Sequence, residues 1–182
     1  MEKTLVLFCG KAGVGKTTSA NYAASYSYMK RFVNSRVLSF ASGVKECAKK
    51  FFGWNGAKDA YGRGLLQKVG GFGREINPNN WVDRLIEKFT ETYDEIGFVD
   101  DCRFINEIRI PSNIFKTYVV RIESTDRQIL KGTPAYDDPS ETSLPSGINE
   151  LYDFIVWNTG TKEDLKETIE KIVDIILDKE NE

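Results

Sequence analysis

The residues best suited to chemistry stand in one run near the start of the sequence, Gly10-Lys11-Ala12-Gly13-Val14-Gly15-Lys16-Thr17. The run matches G-x-x-x-x-G-K-[ST], the pattern of phosphate-binding loops. Glycine tolerates a positive φ, so successive backbone N–H groups can turn toward one anion. The helix that should begin near Lys16 adds the positive end of its dipole. We therefore expect residues 10–17, together with Thr18, to bind the phosphates of ATP.

Two side chains of this run have roles of their own. The Lys16 ammonium would contact the β- and γ-phosphates, and the Thr17 hydroxyl would bind Mg²⁺. A second acidic element is expected after an apolar strand, and Asp100-Asp101 follows the apolar segment Ile96–Val99. A carboxylate there would orient the metal directly or through water. The alternative is a solvated turn, and the residues alone leave open which carboxylate faces the metal.

Five apolar segments are predicted to be the strands that position these groups. They are Thr4–Cys9, Val37–Phe40, Ile96–Val99, Thr117–Ile122 and Asp153–Trp157. Strands that alternate with helices indicate a parallel sheet covered on both faces. Ligands of such folds bind at the carboxyl ends of the strands. Gly10, Ala41, Asp100, Asp101 and Asn158 all directly follow predicted strands.

Helices are predicted between the strands. Their expected extents are about 16–30, 42–52, 59–69, 77–89, 103–110, 124–131 and a last helix from the Thr161 and Asp164 capping box. Gly70-Gly71-Phe72-Gly73 reads as a mobile loop. The segment Gly132–Gly147 is rich in proline and acidic residues and is typical of a lid or binding loop.

Composition limits the function further. The chain has 182 residues, 41% of them hydrophobic, and a net charge of −2, which predicts one globular domain without a strongly basic face. We therefore expect no nucleic-acid polymer as partner. The chain has no histidine, which excludes histidine triads and zinc–imidazole sites. Met-Glu-Lys leads directly into a strand, and no apolar run approaches the ~20 residues of a membrane span.

The three cysteines are scattered and lack a C-x-x-C pair. Their simplest interpretation is reduced thiols in a cytoplasm-like compartment, so we expect a cytoplasmic protein without a membrane partner. The lack of histidine also favours one reaction. Transfer of a phosphoryl group onto a phosphate needs no general base, because the accepting oxygen is already anionic near neutral pH. Cationic groups and Mg²⁺ would then suffice, whereas hydrolysis needs a residue that orients water.

Six basic residues stand near predicted junctions between loops and helices, where they would enclose several phosphates. A lone surface arginine is otherwise a solvated charge. The six are Lys45, Arg63, Arg74, Arg103, Arg127 and Lys131. Trp81 begins an apolar helical stripe, which favours a core position over stacking against a base.

Three stretches together resemble bacteriophage-type deoxynucleoside monophosphate kinases. They are Phe40-Ala41-Ser42-Gly43-Val44-Lys45, the spacing Gly62-Arg63…Leu66-Gln67…Gly70…Arg74…Trp81, and Asp101-Cys102-Arg103-Phe104-Ile105-Asn106-Glu107. The C-terminal third is also similar to animal phosphomevalonate kinases through Val120-Arg121, Asp126-Arg127, Asp138, Ser140-Glu141, Asp153–Val156, Asn158 and Gly160. Both families share the nucleoside monophosphate kinase architecture.

The resemblance implies a three-layer α/β/α P-loop fold with a five-stranded parallel sheet. The whole chain would be one kinase domain, with an acceptor-binding segment at about 41–95 and a lid at about 124–147. It also implies ATP as donor, Mg²⁺ as cofactor and a deoxynucleoside monophosphate as acceptor, in a monomer or homodimer. If the chain is viral, the host cytoplasm is the expected location.

The resemblance also assigns residues. Arg127 would be the lid arginine on the transferring phosphoryl group, with Lys131 beside it, and Asp101 would be the metal-linked carboxylate. The acceptor would be bound by Lys45, Arg63, Arg74, Trp81, Arg103, Asn106 and Glu107. Asn158 and Gly160 would lie along the donor adenine.

Two alternatives stay open. One is a P-loop kinase for another small phosphorylated acceptor, such as phosphomevalonate or dephospho-coenzyme A. The other is a nucleotide-switched binding protein of the GTPase type, which would need a guanine-reading N-K-x-D element, and the sequence contains no Asn-Lys pair.

Overall fold

Five parallel strands form the sheet of the chain, seen in a computed structural model that describes residues 3–57, 59–126, 129–130, 132–146 and 150–180. The strands follow the order β2-β3-β1-β4-β5 across the sheet. They are β1 (Thr4–Cys9), β2 (Ser35–Leu38), β3 (Ile96–Cys102), β4 (Lys116–Glu123) and β5 (Phe154–Trp157). The predicted α/β class and the number of strands are confirmed.

Helices connect and flank the strands. They are α1 (Lys16–Arg31), α2 (Ala41–Phe52), α3 (Ala60–Ile76), α4 (Asn80–Thr90), α5 (Ile105–Arg109), α6 (Pro139–Thr142) and α7 (Lys162–Glu180). Short 3-10 turns cover Pro111–Asn113 and Pro134–Asp137. In the described parts of the chain, no helix combines the length and apolar character needed to cross a membrane.

The centre of the sheet is β1, which pairs in parallel with β3 on one edge and with β4 on the other. All six of its residues are buried, as the continuous apolar run predicts. Helices α1 and α7 contact each other, and their apolar stripes join the core formed by β1, β3 and β4. The apolar stripe of α7 is buried, and it consists of Leu165, Ile169, Ile172, Val173 and Ile176.

A bulge interrupts the pairing of β1 with β3 near the carboxyl end of the sheet. Leu7 pairs with Val99, and Cys9 pairs with Cys102, so two steps along β1 match three along β3. The additional residue falls at Asp100-Asp101. A bulge of this kind changes the direction of the side chains that it carries, and bulges are frequent beside functional sites.

The chain divides into two compact units, one formed by residues 1–37 and 93–182 and the other by residues 38–92. The second unit largely coincides with the predicted acceptor segment at about 41–95. It starts three residues earlier than that segment and also ends three residues earlier. It contains α2, α3 and α4 around a small apolar core of its own, made by Val44, Ala48, Trp54, Val69 and Trp81. That the whole chain is a single kinase domain stays a prediction.

The stretch Gly70-Gly71-Phe72-Gly73 is helical and lies inside α3, so the predicted mobile loop is wrong. Trp81 explains why position 73 is a glycine. A Cβ added at Gly73 would lie 2.3 Å from Cζ2 of Trp81, and the Trp81 indole N–H donates to the Gly70 carbonyl at 3.0 Å. Glycine therefore provides the space for an indole ring against the helix, which tertiary packing requires and local propensity does not reveal.

Several predicted boundaries also differ from the structure. The second strand ends at Leu38, and Phe40 stands directly before α2. The fourth helix begins at Asn80, because the Asn77 side chain accepts from the Asn79 N–H in a turn that precedes it. At the end of α2, Phe51 and Phe52 are 68% and 55% exposed.

The predicted helix over 124–131 is not found in the part of it that the structure describes. Residues 124–126 are irregular, and residues 129–130 form a turn. The segment predicted as a lid or binding loop, Gly132–Gly147, contains regular secondary structure in its described part. This consists of the 3-10 turn Pro134–Asp137 and the short helix α6.

Candidate phosphate-binding site

The loop that joins β1 to α1 has the conformation that its glycines predicted. Gly10, Gly13 and Gly15 all have a positive φ. At Gly10 an added Cβ would lie 2.3 Å from the Ile122 carbonyl oxygen, and at Gly15 it would lie 2.8 Å from Nδ2 of Asn158. The loop therefore lies so close to its neighbours that no side chain fits at these two positions. Helix α1 begins directly after it, at Lys16.

The Lys16 side chain folds back over this loop. Its ammonium donates to the carbonyl oxygens of Gly10 and Lys11, at 2.7 and 2.8 Å, and the residue is 7% exposed. Burial lowers the pKa of Lys16 to about 8, and the nearby guanidinium of Arg103 acts in the same direction. A buried cation of this kind gains from an anionic ligand, which compensates for the hydration that the ammonium has lost.

Thr17 and Asp100 bring a hydroxyl and a carboxylate together at the first turn of α1. The Thr17 hydroxyl donates to Oδ2 of Asp100 at 2.8 Å. The resemblance assigned the metal-linked carboxylate to Asp101, and the structure places the Asp100 carboxylate against the Thr17 hydroxyl. Oxygen ligands suit Mg²⁺, which takes only one or two carboxylates from a protein and fills its shell with water and phosphate. The pair fits a magnesium site, and the assignment of Asp101 to the metal stays a prediction.

Arg103 lies just beyond the end of β3, where Glu107 fixes the backbone. The Glu107 carboxylate accepts from the backbone N–H groups of Arg103 and Phe104, at 2.6 and 3.0 Å. Glu107 is 4% exposed. These bonds make Glu107 a residue that holds the turn carrying Arg103. Asn106, three positions after Arg103, is half-buried on α5.

Glu141 reaches the phosphate-binding loop from α6, a contact that sequence reasoning did not assign. Its Oε2 accepts from the Ala12 N–H at 2.7 Å, and its Oε1 pairs with the Arg103 guanidinium. Arg103 also donates to the Ser140 carbonyl at 2.9 Å. Asp138-Pro139-Ser140 is a recognisable helix start, in which the Asp138 carboxylate accepts from the Ser140 N–H at 2.9 Å. Nothing in that local signal indicates the distant loop.

Asn158 follows β5 and contacts the other side of the loop. Its side-chain amide donates to the Val14 carbonyl at 2.8 Å, and the residue is 3% exposed. Gly160 lies against the Asp164 side chain, whose carboxylate accepts from the Thr161 N–H at 2.8 Å in the predicted capping box. Asn158 therefore supports the phosphate-binding loop, and contact of Asn158 and Gly160 with adenine stays a prediction.

The remaining predicted site residues lie in the 38–92 unit or outside the described residues. Lys45 on α2 and both Arg63 and Arg74 on α3 are half-buried. Trp81 is 6% exposed within its unit, which supports the core position. Arg127 and Lys131, the predicted lid cations, lie outside the described residues. The acceptor-binding and lid assignments of these residues stay predictions.

The comparisons with known proteins give two relatives in sequence. One is the uncharacterized protein ORF76 of Ictalurid herpesvirus 1 (strain Auburn), 25% identical over 146 residues, which cover 78% of this chain and 56% of that protein. The other is ORF77 of the same virus, also uncharacterized, 30% identical over 145 residues, which cover 78% and 59%. The chain thus spans a little over half the length of these relatives. No model of a known protein family matches the sequence.

Solved structures similar to this chain share its architecture at low sequence identity. TT1252 from Thermus thermophilus has a TM-score of 0.54 at 14% identity, covering 96% of this chain and 98% of that one. Shikimate kinase from Acinetobacter baumannii in complex with shikimate has a TM-score of 0.51 at 14% identity, covering 98% and 95%. The Mycobacterium tuberculosis APS kinase CysC in complex with AMPPNP and APS has a TM-score of 0.50 at 11% identity, covering 96% and 98%.

This chain has the P-loop kinase fold. The similarity to the solved structures extends over nearly the whole chain. Its parallel strands follow the order β2-β3-β1-β4-β5, and the candidate phosphate-binding loop follows the central strand β1 at its carboxyl end. In this P-loop kinase fold, Lys16, Thr17, Asp100, Arg103 and Asn158 gather around the loop.

Proposed function

We propose that this chain is an ATP- and Mg²⁺-dependent kinase that converts a deoxynucleoside monophosphate to its diphosphate. The observation that carries the proposal is the phosphate-binding loop itself, with the Lys16 ammonium in it and the Thr17–Asp100 pair beside it. ATP would bind with its phosphates along the backbone N–H groups of residues 10–17. The APS kinase, solved with AMPPNP and APS, supports this kind of ligand for the fold.

Each charged residue near the loop would have its own part in the transfer. Lys16 and the backbone N–H groups would neutralise the charge that spreads over the transferring phosphoryl group. Thr17 and Asp100 would hold Mg²⁺, which when bound neutralises the β- and γ-phosphates. Arg103, placed by Glu107, offers a guanidinium that can bind a phosphate with two parallel hydrogen bonds.

The acceptor would be bound with the help of the 38–92 unit, where Lys45, Arg63 and Arg74 supply the cations. The choice of a deoxynucleoside monophosphate depends on the resemblance of residues 40–45, 62–81 and 101–107 to the bacteriophage-type kinases. An acceptor that carries its own phosphate fits a chain without histidine, because its oxygen attacks without a general base. Arg127 and Lys131 would cover the transferring group, and the reaction would take place in the cytoplasm.

One alternative has an observation in its favour. The C-terminal third is similar to phosphomevalonate kinases, and the acceptor there is also a small phosphorylated molecule. A kinase for phosphomevalonate or dephospho-coenzyme A would use the same phosphate-binding loop. The two proposals differ only in which phosphorylated molecule accepts the phosphoryl group.

The test is ADP release from ATP and Mg²⁺ by the full chain with a panel of acceptors. The panel contains the four deoxynucleoside monophosphates, their ribose counterparts, phosphomevalonate and dephospho-coenzyme A. We expect the deoxynucleoside monophosphates to stimulate ADP release most, and Lys16→Ala to reduce the stimulated rate by about 100-fold or more. Stimulation by a different member of the panel would select the alternative, and no stimulation by any of them would overturn the proposal.

A further inference from the structure

The side chain of Glu141 is a buried carboxylate, only 4% exposed. It contacts the loop to which the proposed function assigns phosphate binding. A buried charge is costly unless it is paired and hydrogen-bonded. Its two described partners are the backbone N–H of Ala12, in the loop, and the guanidinium of Arg103. Both partners are groups that bind phosphate oxygens in other proteins.

A second cation adds to this environment. Lys16 lies close enough for the Glu141 charge to favour its protonated form, although burial prevails and the pKa of Lys16 falls to about 8. The Glu141 carboxylate therefore contacts an N–H group and a guanidinium, and the charge of the Lys16 ammonium acts on it from nearby. A carboxylate shares with a phosphoryl group its negative charge and its oxygens, which accept hydrogen bonds from such donors.

A purely structural role would give Glu141 partners that belong to the framework of the protein. Its partners are instead the groups that the proposed function assigns to ligand. The segment that carries it also contacts the loop where the Lys11 ammonium lies 3.4 Å from the ring centre of Tyr136. Of these two contacts with the loop, that of Tyr136 is with a side chain, and that of Glu141 is with a backbone N–H that the proposed function assigns to phosphate.

We propose that Glu141 acts as an internal substitute for a phosphate group, which an incoming nucleoside polyphosphate must displace before the loop can bind it. This inference rests on the proposed function, since it requires residues 10–17 to bind phosphate. Displacement would free the Arg103 guanidinium for the ligand and would release the 132–146 segment from its stronger contact. Binding of the nucleotide and rearrangement of that segment are then a single event.

The consequence for affinity follows from competition. If the loop is occupied by Glu141 most of the time, the apparent dissociation constant of any phosphate ligand is raised by the reciprocal of the free fraction. Removal of the carboxylate should therefore tighten binding, which is the opposite of what loss of a ligand-binding residue does. This sign separates the inference from a direct role of Glu141 in holding nucleotide.

The experiment measures the dissociation constants of MgATP, MgADP and inorganic pyrophosphate by calorimetry. The proteins are the full wild-type chain, Glu141→Gln and the control Asp137→Asn. Asp137 is exposed in the same segment, so both variants remove one negative charge and differ only in contact with the loop. We expect Glu141→Gln to lower the dissociation constants about five- to tenfold, and Asp137→Asn to change them less than about twofold.

Each other result has a defined meaning. Unchanged or weaker binding by Glu141→Gln, with normal binding by the wild type, would overturn this inference and leave the proposed function intact. If the folded wild type and variants bind none of the three ligands, the proposed function fails and the inference fails with it. Should Glu141→Gln not fold, Glu141→Asp provides a carboxylate too short to make both contacts, for which tighter binding is again expected and unchanged or weaker binding overturns the inference.

Discussion

The side-chain amide of Asn158 donates to the Val14 carbonyl at 2.8 Å, which joins the end of β5 to the phosphate-binding loop across 144 positions of sequence. Asn158 also lies against Gly15, where an added Cβ would approach its Nδ2 to 2.8 Å. A loop of backbone N–H groups binds an anion well only if it is held in place before the anion arrives. Asn158 provides one such support from outside the loop.

We expect Asn158→Ala to lower the free energy of unfolding by about 1–3 kcal/mol, because the Val14 carbonyl is left buried without this donor. The same change should weaken MgADP binding, since the loop loses its support. Urea denaturation and calorimetry would measure the two effects. The control is Thr159→Ala, at the adjacent exposed position, which should leave both unchanged. Equal behaviour of the two variants would contradict the role given to Asn158.

Variants of Asp100 and Asp101 form a matched pair that tests the proposed metal site. Since Asp100 accepts from the Thr17 hydroxyl, we expect Asp100→Asn to raise the Mg²⁺ concentration needed for half-maximal nucleotide binding by about 10- to 100-fold. Asp101→Asn should have a smaller effect. The measurement is nucleotide binding at several concentrations of Mg²⁺, which does not depend on turnover. A larger effect of Asp101→Asn would return the metal to the carboxylate that the resemblance favoured.

The pKa of Lys16 should give the proposed binding of phosphate a pH dependence. Burial lowers this pKa to about 8, so above pH 8 the free protein increasingly holds the neutral amine. A phosphate ligand raises the pKa again, because it favours the charged form. We therefore expect affinity for MgADP to be constant below about pH 8 and to fall as the pH rises above it. Calorimetry at pH 8.5 in two buffers of different ionisation enthalpy should show proton uptake, and proton release would contradict the assignment.

In the unliganded protein, the same pKa of Lys16 should make the free energy of unfolding depend on pH, and this dependence has the opposite sign to that of the ligand affinity. Between about pH 8 and the ordinary pKa of lysine near 10.5, the unfolded chain holds more protons at Lys16 than the folded chain does. The contribution of Lys16 to the free energy of unfolding therefore increases with pH in this range. In Lys16→Met this contribution should be absent, which a comparison of denaturation curves at pH 8 and pH 10 would measure.

Two glycines of α3 provide a test of the packing against Trp81. A Cβ at Gly73 would meet the Trp81 ring at 2.3 Å, whereas a Cβ at Gly71 would meet nothing within 4 Å. We expect Gly73→Ala to lower the free energy of unfolding by about 1–3 kcal/mol through overpacking. Gly71→Ala should raise it by up to about 1 kcal/mol, since alanine favours helix over glycine. Urea denaturation of both variants measures the difference, and equal shifts would refute the role of the ring.

Local sequence patterns predicted the parts of this protein that local forces determine. The run of apolar residues from Thr4 to Cys9 is a buried central strand, and the glycines at positions 10, 13 and 15 have the positive φ that a phosphate-binding loop requires. The Thr161 and Asp164 capping box is present as well. Such features depend on neighbours within a few positions of sequence.

Contacts between distant residues could not be predicted in the same way. The glycine-rich part of α3 was predicted to be a loop, because the need for glycine at position 73 becomes clear only from the position of the Trp81 ring. Glu141 and Ala12 are separated by 129 positions of sequence, and no local pattern connects a short acidic helix to the loop. Asp100 rather than Asp101 meets Thr17 as a result of a bulge in β3, which apolar periodicity does not reveal.

The central position of β1 has a consequence for how the proposed phosphate binding would be lost on denaturation. Each of its six residues is at most 2% exposed, and the strand is hydrogen-bonded along both edges, so its amides should exchange with solvent only when the whole sheet opens. Gly10 follows this strand immediately. Fraying of peripheral turns would therefore leave the Gly10 end of the loop attached to β1. We expect phosphate binding to be lost in the same unfolding step in which the slowest-exchanging amides of the chain exchange.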